Sequence, residues 1–215
     1  MTWHCGFDLV HYRELLDAAE AGGYRWARFD HEPQSGDLFL RHDVDMSLEA
    51  ALTMAELEAE QGVGATYFLM TRSQFYNLDS RDGERAIARL RELGHRVGLH
   101  AVAPDVALDD RFDPVIAWHT PDPETMSEPF SHAVNTYAPP WFLPDCYRSD
   151  SNQRWRMGCP HQEIADGAFA WLQLLIHPEI WVYEGETMRR TMLAYLDADR
   201  EVKLRVMREN KIDLS

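Results

Sequence analysis

Short apolar runs that alternate with helical periodicity, and that end on aspartate or histidine, constrain this chain more than any other feature. Asp37-Leu38-Phe39-Leu40 reads as a buried strand, and Arg41-His42-Asp43-Val44-Asp45 sits at its C-terminal end. A helix follows Met46, with Leu48, Ala51, Leu52, Ala55 and Ala59 at helical spacing and Gly62 as its stop. Ala65 to Met70 reads as a second strand; a helix begun by Asp82 as N-cap then turns Ala86, Ile87, Leu90 and Leu93 inward and ends before Gly94. A third strand, Arg96 to Leu99, ends at His100, while Val115 to Trp118 and Trp171 to Ile176 are each followed at once by a histidine. Parallel neighbours need a long return path between them, so strands separated by helices imply an α/β barrel or an open α/β sheet.

The 215 residues suit one domain, 1–215, closed by a long amphipathic helix from about Glu186 to Asn210, a stretch without Gly or Pro. Pro and Gly gather between about Pro104 and Pro160, which marks the middle third as loop-rich. A formal charge of −15 repels phosphate backbones and anionic lipid, so neither nucleic acid nor a membrane is an expected partner. The start of the sequence lacks a basic region followed by an apolar run, and the expected location is cytoplasmic. Cys5, Cys146 and Cys159 lack a Cys-x-x-Cys spacing and read as ordinary buried thiols.

The polar groups at the strand ends are Asp43, Asp45, His100, His119 and His177. In α/β sheets and barrels such ends share one face, where ligands and catalytic groups gather. Two imidazoles and one carboxylate from this set suit a divalent transition metal with open positions, and the remaining carboxylate and histidine would serve as base and acid.

Several segments together resemble the polysaccharide deacetylase family, from about Asp37 to Tyr183. Arg41-His42-Asp43-Val44-Asp45 resembles its first motif, Gly94 to His100 the approach to its second, and Gln173 to Pro178 its last. Ala117-Trp118-His119-Thr120-Pro121 and Tyr147 to Arg156 resemble segments of a bacterial branch of the family. The resemblance implies a distorted (β/α) barrel and a metal-dependent hydrolase that removes an acetyl group from a small acetylated sugar or glycoside. It implies Asp45, His100 and His119 as ligands to a divalent ion, zinc first, with Asp43 as base and His177 as general acid. Asp150, Arg154 and Trp155 are expected to bind or orient substrate, Trp155 by offering its face to a sugar ring.

The chain departs from the family in two places. Pro104 stands where the second motif places another histidine, so the second imidazole is assigned to His119. The Arg-x-Pro-Tyr motif is absent, which leaves Arg154 or Arg156 to restrain the catalytic aspartate. The short stretch between His100 and His119 hardly accommodates a crossover helix, so the barrel is expected to lack one helix or to be open at that side, where a second subunit is one possible closure. Asp105, His42, His161 and Glu179 are alternative ligands, with a loop cap, a core hydrogen-bonder, a surface residue and a solvated charge as their respective structural readings. Rival functions are a carbohydrate-binding or regulatory protein that keeps the barrel, and a non-haem iron enzyme, whose usual His-x-Asp spacing is missing here.

Overall fold

The computed structural model describes residues 5–103, 107–126, 128 and 132–213. In chain order the elements are α1 (Leu9–Ala21), β1 (Arg25–Trp26), β2 (Asp37–Val44), α2 (Leu48–Glu60), β3 (Thr66–Leu69), α3 (Arg81–Glu92), β4 (Arg96–Ala101) and β5 (Val115–Trp118). There follow α4 (Pro123–Met126), β6 (Val134–Asn135), a single 3-10 turn (Pro144–Cys146), β7 (Tyr147–Ser149), α5 (His161–Ala165), β8 (Leu172–Ile176), α6 (Pro178–Val182) and α7 (Met188–Glu209).

Every strand pairing is parallel. The order across the sheet is β6-β5-β4-β3-β2-β8-β7, with β1 beside the start of β2. The sheet curls into a half-barrel, so successive residues of each strand face either its concave side or the helices outside. Leu38, Leu40 and Val44 of β2 belong to the large apolar cluster shared with α1 and α2, whereas Phe39 joins Phe29, Phe68, Val115, Ala117 and Trp171 in a smaller one that fills the concave side. Arg41 and Asp43 continue the Phe39 side of β2, and both are buried. All eight residues of β2 are buried, as expected of a strand covered on both faces.

Of the two alternatives expected between His100 and His119, a missing helix or an opening, the structure agrees with the first, and the opening falls elsewhere. No helix joins β4 to β5 among the described residues, yet these strands are paired directly, and the unpaired edges are those of β6 and β7. Segment 136–146 runs from one edge to the other. Gln173 fastens it from inside by donating Nε2–H to the carbonyls of Thr136 (3.1 Å) and Trp141 (2.7 Å). Pro104 and Asp105 lie outside the described residues.

Gly98 lets β3 and β5 approach across the concave side. A Cβ there would stand 2.5 Å from Phe68 Cε1 and 3.0 Å from Val115 Cγ1. Gly98→Ala is expected to lower stability by about 1–3 kcal/mol, the usual result of overpacking, measured by denaturant titration. A midpoint equal to wild type would mean that the concave cluster yields freely.

Local chemistry explains most element ends. Ser47 caps α2 by accepting from Ala50 N, and Thr187 caps α7 by accepting from Arg190 N. The cap of α3 is Ser80, whose hydroxyl accepts from Gly83 N, and not Asp82, which sits in the first turn where a negative charge suits the helix dipole. On α7 only Thr191 and Tyr195 are buried, and Tyr195 donates its hydroxyl to Met46 O. No helix among the described residues is long and apolar enough to cross a membrane.

Candidate metal centre

The C-terminal ends of the parallel strands meet at one end of the half-barrel. Asp43 is the penultimate residue of β2 and Asp45 follows the strand; His100 lies within β4, His119 directly follows β5, and His177 directly follows β8. The His119 backbone N–H donates to Ala101 O at 2.9 Å, extending the ladder by one residue and fixing where its ring emerges. Thr120, a β-branched residue at φ 44°, then turns the chain away. Such a conformation costs roughly 1–3 kcal/mol and persists where the surroundings enforce it.

Asp45, His100 and His119 bring three potential ligand atoms together. Asp45 Oδ1 is 3.2 Å from His100 Nε2 and 3.3 Å from His119 Nδ1, and the two nitrogens are 3.2 Å apart. Atoms bound at about 2.0–2.1 Å to a tetrahedral ion lie roughly 3.3–3.4 Å from one another, so the triangle has the dimensions of one face of that tetrahedron. His100 Nδ1–H donates to Ala117 O at 2.9 Å, which leaves the Nε2 lone pair directed into the triangle. Asp45 Oδ1 is buried and aligned for a hydrogen bond with neither ring, as expected of atoms that converge on a shared point. Burial opposes the charge on Asp45, but the surrounding histidines outweigh it and hold the carboxyl well below the usual range. The donor set and its spacing therefore fit a divalent transition ion.

Two further pairs flank the triangle. Asp43, whose Oδ2 is 3.7 Å from His100 Nε2, accepts both prongs of a guanidinium: Arg41 Nε–H to Oδ1 at 2.7 Å and Nη2–H to Oδ2 at 2.6 Å. Arg41 has no exposed surface; its Nη1 donates to Thr136 Oγ1 (3.0 Å) and Gln173 Oε1 (3.1 Å), and it stands 4.4 Å from the centre of the Tyr137 ring. Burial raises the pKa of Asp43, but Arg41 and then His100 bring it below the ordinary value, so the group stays charged. The arginine expected at position 154 or 156 is thus replaced by Arg41, two residues before Asp43 on the same strand face. Both Arg154 and Arg156 are exposed.

The second pair is Asp150 with His177. His177 Nδ1–H donates to Asp150 Oδ1 at 2.6 Å and its backbone N–H to Oδ2 at 2.9 Å, while Trp181 Nε1–H reaches the same Oδ2 at 2.7 Å. Asp150 thereby orients the imidazole, whose Nε2 is 4.0 Å from Asp45 Oδ2. Burial disfavours the imidazolium, but Asp150, followed by Asp45 and Asp43, raises its pKa to about 10. A cation in the triangle would pull that value back down by repulsion.

The remaining expected residues are distributed differently. Trp155 lies against Phe7 (6.0 Å between ring centres) and Trp181 (6.2 Å), a packing role. His42 is a core hydrogen-bonder as anticipated, 2.7 Å from Glu58. His161 is buried rather than superficial. Glu179 is no solvated charge: it is buried, its Oε2 has no hydrogen-bond partner, and burial followed by the charge on Asp45 raises its pKa to about 8. The sequence reading assigns Arg41 no part in the site, although it was legible from alternation, because residues i and i+2 of a strand face the same way, and it does not foresee the bond from Trp181 to Asp150.

Compared with protein-family models, with curated proteins and with solved structures, the chain gives no match.

Proposed function

We propose that this protein is a metal-dependent hydrolase that removes an acetyl group, from nitrogen in preference to oxygen, from a small carbohydrate or glycoside. The observation that carries the reading is the triangle formed by Asp45 Oδ1, His100 Nε2 and His119 Nδ1, flanked by a carboxylate and a histidine that have separate partners. A divalent ion held there, zinc first, supplies Lewis acidity toward a water and a carbonyl oxygen. Asp43, kept charged by Arg41, accepts the proton of the attacking water. His177, held by Asp150, donates a proton from Nε2 to the departing nitrogen as the carbon–nitrogen bond breaks, and Asp150 offsets the charge on the ring. In the cytoplasmic setting that belongs to this proposal, a small N-acetylated sugar is more accessible than a cell-wall polymer. The strong negative charge supports a reading without nucleic acid or membrane as partner.

The test compares metal content and acetate release from a panel of N-acetylated sugars for wild type and the Asp45→Ala, His119→Ala double variant, both purified without chelator. The double variant is expected to contain about one divalent ion per chain less than wild type and to release no acetate. Equal metal content in the two proteins would overturn the ligand assignment.

A further inference from the structure

A second group of metal-ligating side chains lies outside the half-barrel, where the start of α1 meets α5. Cys5, His11 and Cys159 each place a potential ligand atom within 4.8 Å of the others', and His11, Glu14 and His161 form an overlapping group. His11 Nε2 is 3.2 Å from Cys159 Sγ, while its Nδ1 is 3.1 Å from Glu14 Oε2. A carboxylate on one ring nitrogen fixes the tautomer and turns the lone pair of the other nitrogen toward the sulfur, as in carboxylate–histidine–zinc arrangements. His161 lies beside them, its ring centre 5.5 Å from that of His11.

We propose that Cys5, His11 and Cys159 hold a structural zinc that fastens the segment before α1 to the segment before α5, and that the His161 ring turns in from beside His11 to complete the set. Two thiolates and two imidazoles are a closed tetrahedral set that selects zinc and leaves no position for substrate. On binding, each thiol gives up its proton to solvent and a sulfur–zinc bond replaces the sulfur–hydrogen bond, with no change in oxidation state. Zinc requires roughly 3.6 Å between tetrahedral nitrogen and sulfur ligands, so the His11–Cys159 contact opens by a few tenths of an ångström. From this site the contacts lead inward: the His11 ring stacks on Trp181 at 6.0 Å, and the Trp181 indole N–H holds Asp150, the partner of His177.

The proposal does not depend on the deacetylase reading, and cobalt(II) separates the two. Wild-type protein, purified under a non-chelating reductant and reconstituted with cobalt(II), is expected to show a thiolate-to-cobalt charge-transfer band. The band should survive in the Asp45→Ala, His119→Ala variant and disappear in Cys5→Ser and Cys159→Ser. Should the serine variants not fold, wild type alone suffices: zinc should protect two of its three thiols from a thiol reagent, leaving Cys146 to react. Equal reactivity of the thiols with and without zinc, no charge-transfer band, or a Cys5–Cys159 disulfide formed in the presence of zinc would each overturn the proposal.

Discussion

Asp43→Asn is expected to reduce acetate release by about 10²–10⁴-fold while leaving metal content unchanged. Asp43 stands outside the triangle of ligand atoms, and both its oxygens are occupied by Arg41. The substitution removes the proposed base but leaves Asp45, His100 and His119 in place. An asparagine offers Arg41 one oxygen where there were two, so the guanidinium loses half of a bidentate contact in a place with no water to replace it. A fall in stability is therefore expected as well, and turnover must be compared at a temperature where both proteins are folded. His100→Ala should differ in kind by losing metal and turnover together. Equal metal content in Asp43→Asn and His100→Ala would refute the division between base and ligand, and full turnover in Asp43→Asn would refute the base.

Glu58→Gln is expected to destabilise the protein by about 3–5 kcal/mol, the cost of removing the charged acceptor that the buried Tyr12, Tyr67 and His42 share. For a chain of this size that lowers the melting temperature by roughly 10 °C, readable by calorimetry. Glu58 has no exposed surface and lies on α2 against the convex side of the sheet. Its oxygens accept from the hydroxyls of Tyr12 and Tyr67, the latter at 2.8 Å, and one is 2.7 Å from His42 Nε2. A glutamine would turn an N–H2 toward groups that are themselves donors. Burial raises the Glu58 pKa, but His42 outweighs it, so the folded value lies below the ordinary 4.5. The contribution of the charge is then complete above pH 4.5 and fades as pH falls through the folded value, because the unfolded chain takes up the proton first. The stabilities of wild type and variant should therefore converge in acid. A constant difference down to the acid transition would assign the loss to packing rather than charge.

Much of the half-barrel was legible because its strands are buried on both faces and stand out as unbroken apolar runs; Val115–Trp118 matches the sequence reading residue for residue. Helix α1 was missed even though Tyr12, Leu15, Leu16 and Ala19 have helical spacing and Asp8 caps them. The buried His11 among these positions interrupts the apolar pattern. The three triangle residues were accessible because each lies at or near a strand end, a position that fold class makes meaningful, and the family resemblance separated them from Asp43 and His177. Asp150 was expected near substrate, and its partnership with His177 depends on how β7 and β8 pair, which spacing does not encode. The Cys5–His11–Cys159 group escaped for the same reason, since Cys5 and Cys159 lie far apart in the sequence and leave no local motif.

The central place of β2 also sets an order for assembly during synthesis. Its partner β3 follows soon after it, but β8 pairs Leu172 to Ile176 with Leu38 to His42 and leaves the ribosome only after β3, β4 and β5. Asp45, His100 and His119 have then already emerged on β2, β4 and β5, whereas Asp150 and His177 arrive only with β7 and β8. Until then one edge of the strand that bears both aspartates lacks its partner, and in a nascent chain an open edge invites mispairing. If the proposed ion is captured at that stage, it would hold β2 in register while the remainder is made, and its part would then extend from the site to folding.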